Sequence, residues 1–131
     1  MQRQAAINRL PDTVKTVIDA ARDRKATDLV VLDLRRAHGF TDYFVICSGT
    51  NPRQIKAIAD AIDMALKALK IRPNHTEGYD RAEWVLIDCF DFIVHIFNPE
   101  TRTFYALERL WGNADRIDVD TPEPPADSAR R

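Results

Sequence analysis

Ser48, Gly49 and Thr50 sit where an apolar run gives way to a helix start, and a joint of that kind exposes backbone N–H groups able to bind an anion. A phosphate loop would carry further glycines or a Gly-Lys-Ser/Thr ending. Neither is present, so the joint reads as a connection. Ser48 as a nucleophile would need a histidine base, and nothing in the sequence brings one to it. Asp88 and Asp91 form a close carboxylate pair, but the turn between them points the two apart. The Asp-x-Asp at Asp118-Val119-Asp120 falls in a stretch that reads as a tail. Two-metal nucleotidyl transfer needs its carboxylates on a rigid strand beside the phosphate joint, and that constellation is missing. The three histidines and two cysteines show no ligand spacing, so neither a metal nor a cofactor is expected. His38, beside Gly39 in a turn, reads as an exposed imidazole. His95 shares a strand face with Ile93 and Phe97, and a hydrogen-bonded, partly buried histidine is favoured there over a partner contact.

The elements that would position these residues follow from composition and period. The chain has 131 residues, 45% of them hydrophobic, with 4 glycines and 7 prolines, which suits one globular domain and a polar tail. Lys and Arg total 19 against 20 Asp and Glu, for a net charge of −1, and the basic residues are scattered. A broad nucleic-acid face is therefore not expected, and a protein partner is. Cys47 and Cys89 end apolar runs and read as buried free thiols of a reducing compartment. The N-terminus lacks a signal-peptide core, and no run approaches the ~18 apolar residues of a membrane span, so a soluble, cytoplasmic protein is expected.

Residues 1–10 are polar and read as a flexible N-terminus. A helix begins near Pro11 with Val14, Val17, Ile18 and Ala21 on one face, closed by a solvated cluster at residues 22–25. Residues 29–34 form a strand. Residues 43–47 are a continuous apolar run, as a strand covered on both faces requires. Asn51 caps the next helix, Pro52 takes its first position and Gln54 completes a capping-box-like pair. That helix runs to about residue 70 with Ile55, Ile58, Ala59, Ile62, Leu66 and Leu69 on one face, until Arg72-Pro73 stops it. A short strand over 74–77 is weakly signalled. Residues 84–89 and 92–97 form an antiparallel hairpin. Asn98-Pro99 opens a last helix through Phe104, Tyr105, Leu107, Leu110 and Trp111, ended by Gly112 or Asn113. The folded domain thus covers 11–114, and 115–131 reads as a disordered tail. Aromatic residues gather in the second half; Phe97 and Phe104 read as core, whereas Tyr79, Trp84, Tyr105 and Trp111 suit an interface.

Thr41-Asp42-Tyr43-Phe44-Val45-Ile46-Cys47-Ser48-Gly49, Arg53-Gln54, Ala57-Ile58-Ala59-Asp60, Glu77-Gly78, Trp84-Val85-Leu86-Ile87-Asp88, Val94-His95 and Phe104-Tyr105-Ala106-Leu107-Glu108-Arg109-Leu110-Trp111 come in this order. Together they resemble the ribosomal silencing factor family, also called Iojap or RsfS, over residues 14–114. The resemblance implies an α/β fold, a mixed β-sheet flanked by helices and similar to nucleotidyltransferases, without their catalytic carboxylates. It also implies a non-enzymatic function: binding the large ribosomal subunit through ribosomal protein L fourteen, blocking subunit joining and lowering translation when nutrients are short. The contact would be made by Tyr79, Trp84, Asp88, Val94, His95, Tyr105, Leu107, Glu108 and Trp111. One departure is Phe90, where family members usually carry glycine. The alternative is a nucleotide-binding or nucleotidyl-transferring enzyme working at the Ser48-Gly49-Thr50 joint. Homodimerisation through a sheet edge or an apolar helix face stays open.

Overall fold

The computed structural model describes residues 2–37 and 39–119. Its centre is the strand β2 (Tyr43–Ser48), in which all six residues are buried. β2 pairs in parallel with β5 (Phe92–Phe97) and antiparallel with β1 (Thr27–Asp33). β5 pairs antiparallel with β4 (Trp84–Asp88), which carries the short β3 (His75–Glu77). With β6 (Asp115–Asp118) beyond β1, the six-stranded sheet runs β3-β4-β5-β2-β1-β6. The unbroken aliphatic runs thus lie in the middle and the charged, short strands at the edges, where polar side chains discourage further pairing.

Alternation along each strand divides the side chains between two layers. Val31, Val45, Cys47, Val85, Ile87, Val94 and Ile96 face α2 (Asp12–Asp23) and α3 (Pro52–Ala68), whose buried stripes complete the larger core. Val30, Leu32, Phe44, Ile46, Ile93 and Phe97 face the other way, against the smaller cover of Leu107 and Trp111. One face of the sheet therefore lies under two long helices and the other under two short ones.

The start of α3 forms as its residues dictate. Asn51 Oδ1 accepts the Gln54 N–H at 2.8 Å, with Pro52 in the first helical position. Gln54 reaches back to the Thr50 N–H at 2.7 Å and donates to the Arg24 and Lys25 carbonyls, tying this end to the end of α2. Gly49 permits the approach, since a Cβ there would lie 2.7 Å from Ile55 Cγ1. The far end closes before Arg72-Pro73. Lys70 N–H bonds to the Lys67 carbonyl and Ile71 N–H to the Leu66 carbonyl, each at 2.9 Å, with Lys70 at φ +61°. This paired closure places a residue in the left-handed region, which glycine occupies without strain. Lys70→Gly is accordingly expected to raise stability by ~0.5–1 kcal/mol, as read by urea denaturation.

Four expectations are corrected. Residues 1–10 are not all outside the fold: α1 (Gln2–Asn8) is helical, and Ile7 and Leu10 anchor it in the larger core. The tail does not begin at 115, because β6 pairs with β1 and Val119 is buried. Asp120 and the residues after it, like His38, lie outside the described residues. Arg22 is not simply solvated, since its guanidinium donates to the Val119 carbonyl at 3.2 Å. The last helix is not continuous. α4 (Pro99–Tyr105) and α5 (Leu107–Leu110) meet at Ala106, which is left-handed at φ +46°, ψ +55°. The break turns Leu107 inward and leaves Phe104, expected in the core, 79% exposed.

Candidate functional site

The Ser48-Gly49-Thr50 joint uses its own donors. Gly49 N–H bonds to the Phe97 carbonyl at 2.9 Å, and Thr50 N–H to Gln54 Oε1. A cleft of about 560 Å³ opens at the carboxyl ends of the parallel strands β2 and β5, the usual ligand position of such sheets. It is lined in part by Ser48, Arg102 and Glu108. Arg102 spans it, donating through Nε and Nη2 to Glu108 Oε2 at 3.2 and 2.8 Å and through Nη1 to Ser48 Oγ at 2.9 Å. Both ionic side chains are largely buried, so each charge is met by the other and the serine hydroxyl is met by arginine. Asp88 is likewise committed, accepting the Phe90 N–H at 3.0 Å. Among the described residues no group of three His, Cys, Asp or Glu side chains could hold a metal ion.

The thinly covered face of the sheet carries a band of aromatic rings in mutual contact. Phe44 lies 4.5 Å from His95 and 6.0 Å from Trp111, both edge-on. Trp84 lies 4.9 Å from Phe97 and 4.6 Å from Tyr105, which meets Phe104 at 5.0 Å. Such edge and tilted contacts suit the ring quadrupoles and fix the rings relative to one another. At its outer side the band is open: Tyr105 is exposed, Leu110 is 71% exposed, and Trp84, Leu86 and Trp111 are only partly covered. Large apolar side chains left uncovered together on a face make it a candidate docking surface.

His95 fixes the middle of this band. It is 3% exposed, and its Nδ1 accepts the Trp84 indole N–H at 3.0 Å. The imidazole is therefore neutral with its proton on Nε2, an atom buried without a hydrogen-bond partner among the described residues. Burial accounts for the charge state, pushing the pKa down to about 3. The cost of that unmet N–H falls on the same residue that orients Trp84.

Of the nine residues singled out from the sequence, the structure brings together six: Trp84, His95, Tyr105, Leu107, Glu108 and Trp111. His95 and Leu107 lie beneath the surface and support it, and Glu108 is held by Arg102. Asp88 follows Trp84 and Leu86 on this face but sits at the end of β4, with His75 Nδ1 3.8 Å away. Val94 is fully buried in the opposite layer, because successive residues of a strand alternate and His95 has taken the open side. Tyr79 also belongs to the helix side: its hydroxyl donates to Asp60 of α3 at 2.9 Å, and the Lys56 ammonium lies 5.5 Å from its ring centroid. Leu86 and Phe104 belong to the face and were not singled out for it, and Leu110 is exposed next to Trp111 in the chain. Leu110 fits the helical apolar spacing, and only the Ala106 break shows that it points outward.

The chain is similar to ribosomal silencing factors along most of its length. The family model described as ribosomal silencing factor during starvation matches residues 7–131. The ribosomal silencing factor of Bacillus subtilis is 38% identical over 107 residues, covering 82% of this chain and 91% of that protein. A mouse protein named mitochondrial assembly of ribosomal large subunit protein 1 is 34% identical over 101 residues, covering 75% of this chain and 44% of its own. A crystal structure of a Chromobacterium violaceum protein superposes with a TM-score of 0.75 at 29% identity, covering 91% of this chain and 94% of that one. The match of the family model to nearly the whole described fold, with relatives above a third identical, makes this chain a member of the ribosomal silencing factor family.

Proposed function

We propose that this protein binds the large ribosomal subunit through ribosomal protein L fourteen, and that its bulk then blocks joining of the small subunit and lowers translation when nutrients are short. The observation that carries the reading is the open aromatic band on the thinly covered sheet face. Tryptophan and tyrosine supply large contact areas at small entropic cost and dominate protein interfaces. The scattered charge and net charge of −1 favour a protein surface over naked RNA. Family membership supports the silencing role, and the name of the mouse relative supports the large subunit as its place of action. Trp84, Tyr105 and Trp111, with Phe104, Leu110 and Leu86, make the contact in this reading; His95, Leu107 and the Arg102–Glu108 pair hold them in place. Tyr79 and Val94 take no part. Action by steric occlusion needs no bond-making group, which fits the self-satisfied Ser48 cleft. The reading is tested with isolated L fourteen: this protein is expected to capture it on a column, and Tyr105→Ala is expected to lose most of that capture. Absence of capture by the wild type rejects L fourteen as the receptor.

A further inference from the structure

The connection between β4 and β5 turns at Phe90, whose φ is +69°. Asp91 N–H donates back to the Cys89 carbonyl at 2.8 Å, closing a three-residue turn of the positive-φ kind, the rarer and more strained form. Four more hydrogen bonds hold this backbone. Phe90 N–H donates to Asp88 Oδ1 at 3.0 Å, Thr41 Oγ1 donates to the Phe90 carbonyl at 2.6 Å, and the Asp42 and Tyr43 N–H groups donate to the Asp91 carbonyl at 3.0 and 3.2 Å. Glycine or asparagine would occupy such a position readily, and phenylalanine does not. Its ring recovers little inside the molecule, being 68% exposed. A strained residue held by its surroundings and offering a bare aromatic ring is the pattern of a contact position.

A second bare ring stands beside it. Phe40 is 77% exposed and precedes Thr41, the residue bonded to the Phe90 carbonyl. The Phe40 ring meets Phe44 edge-on at 6.2 Å, and Phe44 in turn meets Trp111 and His95, so this end of the sheet is continuous with the aromatic band. We infer that Phe90 and Phe40 are apolar contacts for the protein partner that docks on the band, extending the docking face to the tip of the β4–β5 hairpin. The inference rests on the large-subunit reading and deepens it. A turn already fixed by five hydrogen bonds presents its ring with little further ordering on binding. Exposed Asp42 and Asp91 flank the pair, so the matching patch of the partner is apolar with basic groups at its rim.

The experiment measures pelleting with purified large subunits, and thermal melting, for the wild type, Phe90→Gly, Phe90→Asn, Phe40→Ser and Met64→Ser. Met64 is an exposed side chain of α3, on the other side of the sheet. Both Phe90 variants are expected to melt above the wild type yet bind about tenfold more weakly, the loss of an interface anchor. Phe40→Ser is expected to weaken binding without gaining stability, and Met64→Ser to bind as the wild type does. A role confined to folding would instead move stability and binding together. Wild-type pelleting with undiminished binding by the Phe90 or Phe40 variants overturns this inference alone, as does an equal loss for Met64→Ser. Failure of the wild type to pellet overturns the large-subunit reading and this inference with it.

Discussion

Trp84→Ala is expected to weaken large-subunit binding by ~2 kcal/mol or more, about thirtyfold, because the ring sits at the centre of the aromatic band with one side open. The same ring covers Phe97, leans on Tyr105 and engages His95, so its loss also removes packing from the smaller core. A stability cost of ~2–4 kcal/mol is expected alongside, below the full range for a completely buried tryptophan. Binding and chemical denaturation therefore have to be measured on the same variant, with affinity referred to its folded fraction. Intact affinity of that fraction would remove Trp84 from the interface and leave it as core. Tyr105→Ala provides the complementary case, since its exposed ring contributes less to folding.

Acidification is expected to destabilise the protein through His95 well before its carboxylates protonate. Unfolded, the imidazole takes up a proton below about pH 6.5; folded, burial delays that step to about pH 3. The unfolded state thus binds more protons throughout this window. The contribution is complete above pH 6.5 and is lost progressively as pH falls toward 3. Between pH 7.5 and 5 the loss amounts to about 2 kcal/mol. Asp33, held below the usual carboxylate range by its hydrogen bond to Arg35, adds its own loss only at lower pH. Urea denaturation across pH 5 to 7.5 reads the slope directly. His95→Gln, which keeps a hydrogen-bond acceptor but cannot titrate, is expected to flatten it. A slope in the variant equal to that of the wild type would show that the imidazole is not buried as described.

Local signals were sufficient for the central sheet and the long helix. The apolar run at 43–47, the Asn51-Pro52-Gln54 cap and the closely spaced pair of runs at 84–89 and 92–97 each carry their cause in adjacent residues. What failed to show depends on contacts remote in sequence. α1 owes its place to Ile7 and Leu10 meeting a core built elsewhere, and β6 to pairing with β1 some eighty residues earlier. Neither has a strong period of its own. Of the candidate face, the gathering of aromatic residues in the second half was legible, and which of them share one side of the sheet only partly. Alternation along 92–97 already forbids Val94 and His95 from sharing a face, but which side the long helices cover is decided by packing. The break at Ala106 has no glycine to announce it, and through it Phe104 and Leu110 became surface rather than core.

The central claim is occlusion of subunit joining, and the direct measurement is a sucrose gradient of purified large and small subunits mixed with this protein. The account predicts that the joined-ribosome peak falls as protein is added, that the protein migrates with the free large subunit, and that Trp84→Ala at the same concentration restores the joined peak. An undiminished joined peak, with the protein remaining at the top of the gradient, would contradict it.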